Sequence, residues 1–142
     1  MASTELIKKF ESFRGRAYKC PAGVWTCGFG STKWEDGTSV KPGDKITQDR
    51  ADKLLNHYLD TYVRPKIKDL KLNRCQQEAI ESLCYNIGIN SFLKSKCYKA
   101  LKQKDWLTFI KEYDWVKVNG KVLPGLLRRR AEELALFFSK GV

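Results

Sequence analysis

The spacing of apolar residues along the chain changes near residue 47. Before that point they come in short alternating runs broken by glycine and proline, and after it they recur every three to four residues. Leu6, Ile7, Phe10 and Phe13 predict a short helix over 4–13, with Ser3 or Thr4 as its N-cap. Between 15 and 46, Gly15, Gly23, Gly28, Gly30, Gly37 and Gly43, with Pro21 and Pro42, punctuate runs such as Val24-Trp25-Thr26-Cys27-Gly28-Phe29. Alternation between such breaks predicts a small antiparallel sheet.

From Thr47 the period becomes 3.6. Ala51, Leu54, Leu55, Tyr58, Leu59, Tyr62 and Val63 form one helical stripe, expected to close at Arg64-Pro65. A second helix is expected from Asn73 to about Ile87. Asn73 is its N-cap, Gln76 completes a capping box, Cys75, Ala79, Ile80, Leu83, Cys84 and Ile87 line its face, and Gly88 stops it. Ser91 is expected to cap the next helix and Asp105 the one after. The last helix is placed from about Gly125 to Phe138, with Leu127, Ala131, Leu134, Ala135 and Phe138 on one face. The fold class is α+β: an N-terminal helix and a small antiparallel sheet beside a larger helical lobe, with an intervening cleft as the default place for a site. The single domain, 1–142, would hold a sheet lobe over about 14–46 and a helical lobe over about 47–142 that includes the N-terminal helix.

Composition narrows the function. With 42% hydrophobic and 12% aromatic residues in 142, the chain has too much to bury to be disordered. The longest apolar block, Leu134-Ala135-Leu136-Phe137-Phe138, is far below the roughly 18 residues of a membrane span. The N-terminal segment has no apolar core and no cleavage site, so the expectation is a chain made without a secretory signal, soluble in a cytosol. The net charge of +11 suits nucleic acid, an anionic membrane surface or an acidic polymer such as a cell wall. No base-reading or stacking motif accompanies it, so a nucleic-acid partner is not expected.

The five cysteines, Cys20, Cys27, Cys75, Cys84 and Cys97, are an odd number and lack metal-ligand spacing. The single histidine, His57, lies off the apolar stripe of its helix. Neither a disulfide framework, nor a metal or other cofactor, nor a Cys/His nucleophile pair is expected.

Three residues could carry chemistry. Glu11 falls near the C-terminal end of the first helix at the edge of its apolar face, where partial burial and the helix dipole both oppose ionisation, as a general acid requires. Its bland alternative is a solvated pairing with Arg14 or Arg16. Cys20 precedes the turn Pro21-Ala22-Gly23 among Arg14, Arg16 and Lys19, whose charge favours thiolate. Its alternative is an ordinary half-buried strand end. Thr26 sits opposite in face to Trp25, Cys27 and Phe29, before Gly28 and Gly30, which either admit another chain close to the backbone or make a tight turn.

Glu11, eight residues, Cys20, five residues, Thr26, then Cys27-Gly28-Phe29-Gly30, resembles the catalytic signature of phage-type lysozymes, glycoside hydrolase family 24. The likeness continues through Asn73-Arg74-Cys75-Gln76-Gln77-Glu78-Ala79, Tyr85-Asn86-Ile87-Gly88, Phe92, Trp115 and Gly125-Leu126-Leu127-Arg128-Arg129-Arg130-Ala131-Glu132. The resemblance implies hydrolysis of the β-1,4 bond between N-acetylmuramic acid and N-acetylglucosamine in bacterial peptidoglycan. Glu11 would be the acid, while Cys20 and Thr26 would orient or activate water, with inversion of configuration. A non-catalytic peptidoglycan-binding module of the same fold is the alternative.

Substrate contacts would come from Phe29, Gly30, Thr32 and Phe92, the last alternatively a core residue. Many relatives carry histidine after the second glycine, where this chain has Ser31. Arg128, Arg129 and Arg130 read either as a patch for wall carboxylates or as a face paired with Glu132 or Glu133, one of the three pointing inward. The resemblance further implies a monomer without stable membrane insertion, held in the host cytoplasm until a holin-type lesion admits it to the periplasm and wall.

Overall fold

A computed structural model describes residues 3–141. The chain forms two units, one holding Ile7–Tyr62 and the other Val63 onward together with the residues before Ile7. The division differs from the lobes read from the sequence. Most of the first helix and all of the helix after Thr47 group with the sheet.

In the first unit, α1 (Glu5–Glu11) gives way to Ser12, whose φ of 58° turns the chain toward β1 (Arg14–Lys19). β2 (Trp25–Gly28) returns antiparallel, with Lys19 opposite Trp25, Tyr18 opposite Thr26 and Arg14 opposite Gly28. Extra residues in β1 between Arg14 and Tyr18 form a bulge. The other edge of β1 meets residues 44–46: Ala17 N–H donates to the Asp44 carbonyl at 2.8 Å and Ile46 N–H to that of Gly15 at 2.9 Å.

α2 (Gln48–Tyr58) starts at Thr47, whose hydroxyl accepts the Arg50 N–H at 3.1 Å. The core of this unit is Ile7, Cys27, Phe29, Val40, Ile46, Ala51, Leu54, Leu55 and Leu59. Gly28 joins sheet to helix. Its φ of +63° suits glycine, and a Cβ there would stand 3.1 Å from the Ala51 Cβ, so both backbone and packing exclude a side chain.

The helical path does not stop at Arg64-Pro65. A π-turn over Leu59–Val63 leads into α3 (Arg64–Ile67), with Pro65 in its first turn, where the missing N–H breaks no helical bond.

In the second unit, α4 (Arg74–Ile87) has the expected capping box: Asn73 Oδ1 accepts the Gln76 N–H at 2.8 Å and Gln76 Oε1 accepts the Asn73 N–H at 3.0 Å. Gly88 ends it with φ 91°. Ser91 caps nothing; it lies inside α5 (Ile89–Leu93). Ser95 instead caps α6 (Lys96–Gln103), and Asp105 caps α7 (Trp106–Lys111). A hairpin of β3 (Lys117–Val118) and β4 (Lys121–Val122) turns at Asn119-Gly120, both with positive φ. α8 (Pro124–Phe137) completes the unit and packs on α4. Trp106, Phe109, Tyr113, Phe137 and Phe138 cluster beneath, the tightest ring pair being Phe109 and Phe137 at 4.7 Å.

The face of α8 differs from the apolar stripe read from the sequence. Leu127 is 53% exposed, and Ala131 and Ala135 also face water. The buried face is Arg129, Arg130, Glu133 and Phe137. Two arginines of the triplet therefore point inward, where one was expected.

Glu133 makes this possible. It accepts from Ser82 Oγ at 2.6 Å, Tyr113 OH at 3.0 Å and Arg130 Nη2 at 2.9 Å. Arg129 lies 3.4 Å from the same carboxylate and donates to the Ser82 carbonyl at 3.1 Å. Arg130 Nε adds an ionic contact at 2.7 Å, though its N–H is not aligned as a hydrogen bond. On α4, the fully buried Glu81 is held by Arg64 through two bonds of 3.0 and 3.1 Å and by Gln77 at 2.7 Å.

Candidate active site

Glu11, Cys20 and Thr26 all belong to the first unit. Glu11 is the last residue of α1 and half-buried. One turn earlier on the same helix, Lys8 pairs with Asp52 of α2. The left-handed Ser12 then starts the turn into β1, so Glu11 lies by the Arg14 end of the hairpin in sequence.

Cys20 and Thr26 meet at the hairpin's other end. The Cys20 N–H donates to the Val24 carbonyl at 2.9 Å, and the Gly23 N–H closes the loop on the Cys20 carbonyl at 2.8 Å. Gly23, with φ 81°, supplies the turn that this closure needs. Hydrogen bonding from the Val24 backbone is the main reason the Cys20 thiol is held below its ordinary value. Partial desolvation opposes it, while the Ala22 backbone and the Thr26 side chain add to it. The cationic neighbours expected to favour thiolate are not among these causes. Burial instead pushes the thiols of Cys27 and Cys84 up, and that of Cys97 up to about 12.

Thr26 is buried, and its hydroxyl donates to the Val24 carbonyl at 3.0 Å. A hydroxyl has one proton, so the same group cannot also donate to the Cys20 sulfur at that moment. The side chain directly across the sheet from Thr26 is Tyr18, with the Arg14 guanidinium 4.3 Å above its ring. Sequence reasoning passed over Tyr18, although its place two residues before Cys20, near the end of β1, was the available signal.

The four expected substrate contacts divide. Gly30, with φ 87°, sits in a tight turn closed by two Cys27–Ser31 backbone bonds of 2.9 Å, and Thr32 just beyond it is exposed. Phe29 is only 4% exposed, its ring 5.7 Å from that of Phe13 and tilted 57° to it, with Lys8 Nζ 5.6 Å above it. Phe92, in the second unit, is fully buried against Tyr98 at 5.3 Å. Both rings serve packing in this structure and offer a sugar almost no surface, so the core alternative for Phe92 describes its placement. Among the described residues, no three His, Cys, Asp or Glu side chains gather as a metal site requires, and no helix is long and apolar enough to cross a membrane.

A family model for phage lysozyme matches residues 8–133. An endolysin of Acyrthosiphon pisum secondary endosymbiont phage 1 is 39% identical over 142 residues, covering 94% of this chain and 93% of that protein. Among solved structures, an endolysin from Escherichia coli O157:H7 phage FAHEc1 superposes with a TM-score of 0.84 at 30% identity, over 98% of this chain and 92% of the other. The muramidase domain of SpmX from Asticaccaulis excentricus gives a TM-score of 0.80 at 33% identity, over 94% and 92%. With nearly the whole length matched by sequence and by fold, the chain belongs to the phage lysozyme family.

Proposed function

We propose that Glu11, Cys20 and Thr26 carry the hydrolysis by which this phage lysozyme, a glycoside hydrolase of bacterial peptidoglycan, cuts the β-1,4 bond after N-acetylmuramic acid, with inversion. The observation that carries the reading is the convergence of Cys20 and Thr26 on Val24, where hydrogen bonds hold the thiol toward its anionic form.

Glu11 gives its proton to the glycosidic oxygen as the bond from C1 to that oxygen breaks. A water held by the Thr26 hydroxyl forms the new bond to C1 from the opposite face, and its proton passes to the Cys20 thiolate. Solvent then returns a proton to Glu11 and removes one from Cys20. Inverting glycosidases usually place a second carboxylate where this chain has a thiol, and an unperturbed thiol of pKa about 8.5 is mostly neutral at pH 7. The hydrogen bonds from the 20–26 loop act against that handicap by favouring the thiolate. Gly30 and Thr32 line the glycan beyond the site. Release of the enzyme to the wall causes lysis of the host.

Alkylation tests the part given to Cys20. Because the folded-state value lies below the unfolded one, thiolate persists to lower pH in the native protein than in the unfolded chain. Any stability it lends is present above the unfolded value and is lost as pH falls through the folded one. The rate of iodoacetamide labelling at Cys20 should therefore rise at lower pH in the folded protein than in the unfolded chain, and ahead of the buried Cys27, Cys84 and Cys97. Peptide mass spectrometry follows the labelling, and wall clearing should fall in step with Cys20 modification. Undiminished clearing by fully alkylated Cys20 would remove it from the reaction.

A further inference from the structure

One cross-strand pair in the first unit is set against its own stability. Arg16 of β1 faces Lys45, and the flanking bonds, Ala17 N–H to Asp44 and Ile46 N–H to Gly15, make this the non-hydrogen-bonded kind of antiparallel pair. In such a pair the Cα atoms lie about 4.5 Å apart, and like charges there repel. Both side chains are exposed, and among the described residues no carboxylate pairs with either.

The nearest acid along the chain, Asp44, is already engaged. Its Oδ2 accepts from Trp34 Nε1 at 3.2 Å and from the Lys41 N–H at 2.9 Å. A third cation, Arg14, lies two residues along the same strand from Arg16, its guanidinium 4.3 Å from the centre of the Tyr18 ring. Tyr18 in turn faces Thr26. Arg14 and Arg16 thus sit on β1, the strand that leads into Cys20 and pairs with the strand of Thr26, while Lys45 lies along the other edge of β1.

We infer that Arg14, Arg16 and Lys45 form an anion-docking site for the free carboxylates on the peptide stems of peptidoglycan, which sets the glycan's register beside Cys20 and Thr26. This rests on the hydrolytic reading above. An unpartnered like-charge pair is costly in the free protein, and the ligand supplies the missing negative charge. Carboxylates fit a paired Arg and Lys with a third guanidinium close by, and the polymer presents them at regular intervals along the strand being cut.

The test uses the full chain as wild type and as the double variant Arg16→Gln/Lys45→Gln, with walls free of phosphate polymers. Half of the walls keep their carboxylates and half have them amidated. On native walls the variant should bind roughly fivefold more weakly, the sum of a few exposed ionic contacts. On amidated walls the difference between the two proteins should shrink to within about twofold, and the variant's melting temperature should stay level or rise. An equal binding deficit on both kinds of wall, no deficit on native walls, or a clear fall in melting temperature would each overturn the site. Clearing by the wild type is read in parallel: if it binds native walls and never clears them, the hydrolytic reading fails, whatever the variant does.

Discussion

Glu11→Gln should lower peptidoglycan clearing by roughly 10²–10⁴-fold, the contribution of a positioned general acid, while binding to walls persists. The amide keeps the size of the carboxyl and its capacity for hydrogen bonds, but it has no acidic proton for the leaving oxygen. The fold should survive, because Glu11 is the last residue of α1 and removing a negative charge there does not offend the helix dipole. Turbidity of exposed walls measures the first effect, pull-down by insoluble peptidoglycan the second and thermal melting the third. This combination separates the enzyme from a binding module of the same fold. A module would bind as wild type, never clear, and give Glu11→Gln nothing to lose. Clearing that persists in the variant would move the acid to another residue.

The largest effect on stability is expected at Glu133. Glu133→Ala leaves Arg129, Arg130, the Tyr113 hydroxyl and Ser82 Oγ facing an empty space, all in a setting where those side chains are almost without exposure. Removing one partner from such a buried network costs about 3–5 kcal/mol. For a chain of this length, that lowers the melting temperature by roughly 10–20 °C. The loss comes from the stranded charges rather than from the pairing itself. Arg130→Met/Glu133→Leu should therefore recover part of it, since apolar replacement of a whole buried pair is often neutral. Urea unfolding of the single and double variants gives both numbers. A cost below about 1 kcal/mol for Glu133→Ala would mean that water reaches the network and relieves the arginines.

The same network shows where sequence reasoning stops. Periodicity found α8 and its length, yet misplaced its buried face because it takes buried to mean apolar. Arg129, Arg130 and Glu133 satisfy one another and Ser82, a residue 51 positions from Glu133, and nothing local in Gly125–Phe138 reveals that partner. α4 was legible to the residue because its signals are local: Asn73 and Gln76 bond each other's backbone, and Gly88 adopts a φ that ends the helix. Pro65 misled because a proline marks either a stop or a first turn, and the π-turn before it decides which. The hairpin at Asn119-Gly120 went unread despite its turn dipeptide, since strands of two residues have no period to detect.

In the site, the order and spacing of Glu11, Cys20 and Thr26 were visible in the chain. The shared use of Val24 by Cys20 and Thr26 was not, because it depends on the closure of the 20–24 loop. The pattern offers Phe29 and Phe92 as substrate contacts, whereas burial shows that both rings pack inward.

Hydrolysis with inversion leaves a distinctive chemical trace. Purified peptidoglycan should be digested briefly with the wild-type protein and its first products examined by NMR and mass spectrometry. The expected product is a reducing-end N-acetylmuramic acid, formed first as the α anomer, because water enters opposite the departing β oxygen. A 1,6-anhydro terminus, which forms without water, would contradict the assignment of Glu11, Cys20 and Thr26 to hydrolysis.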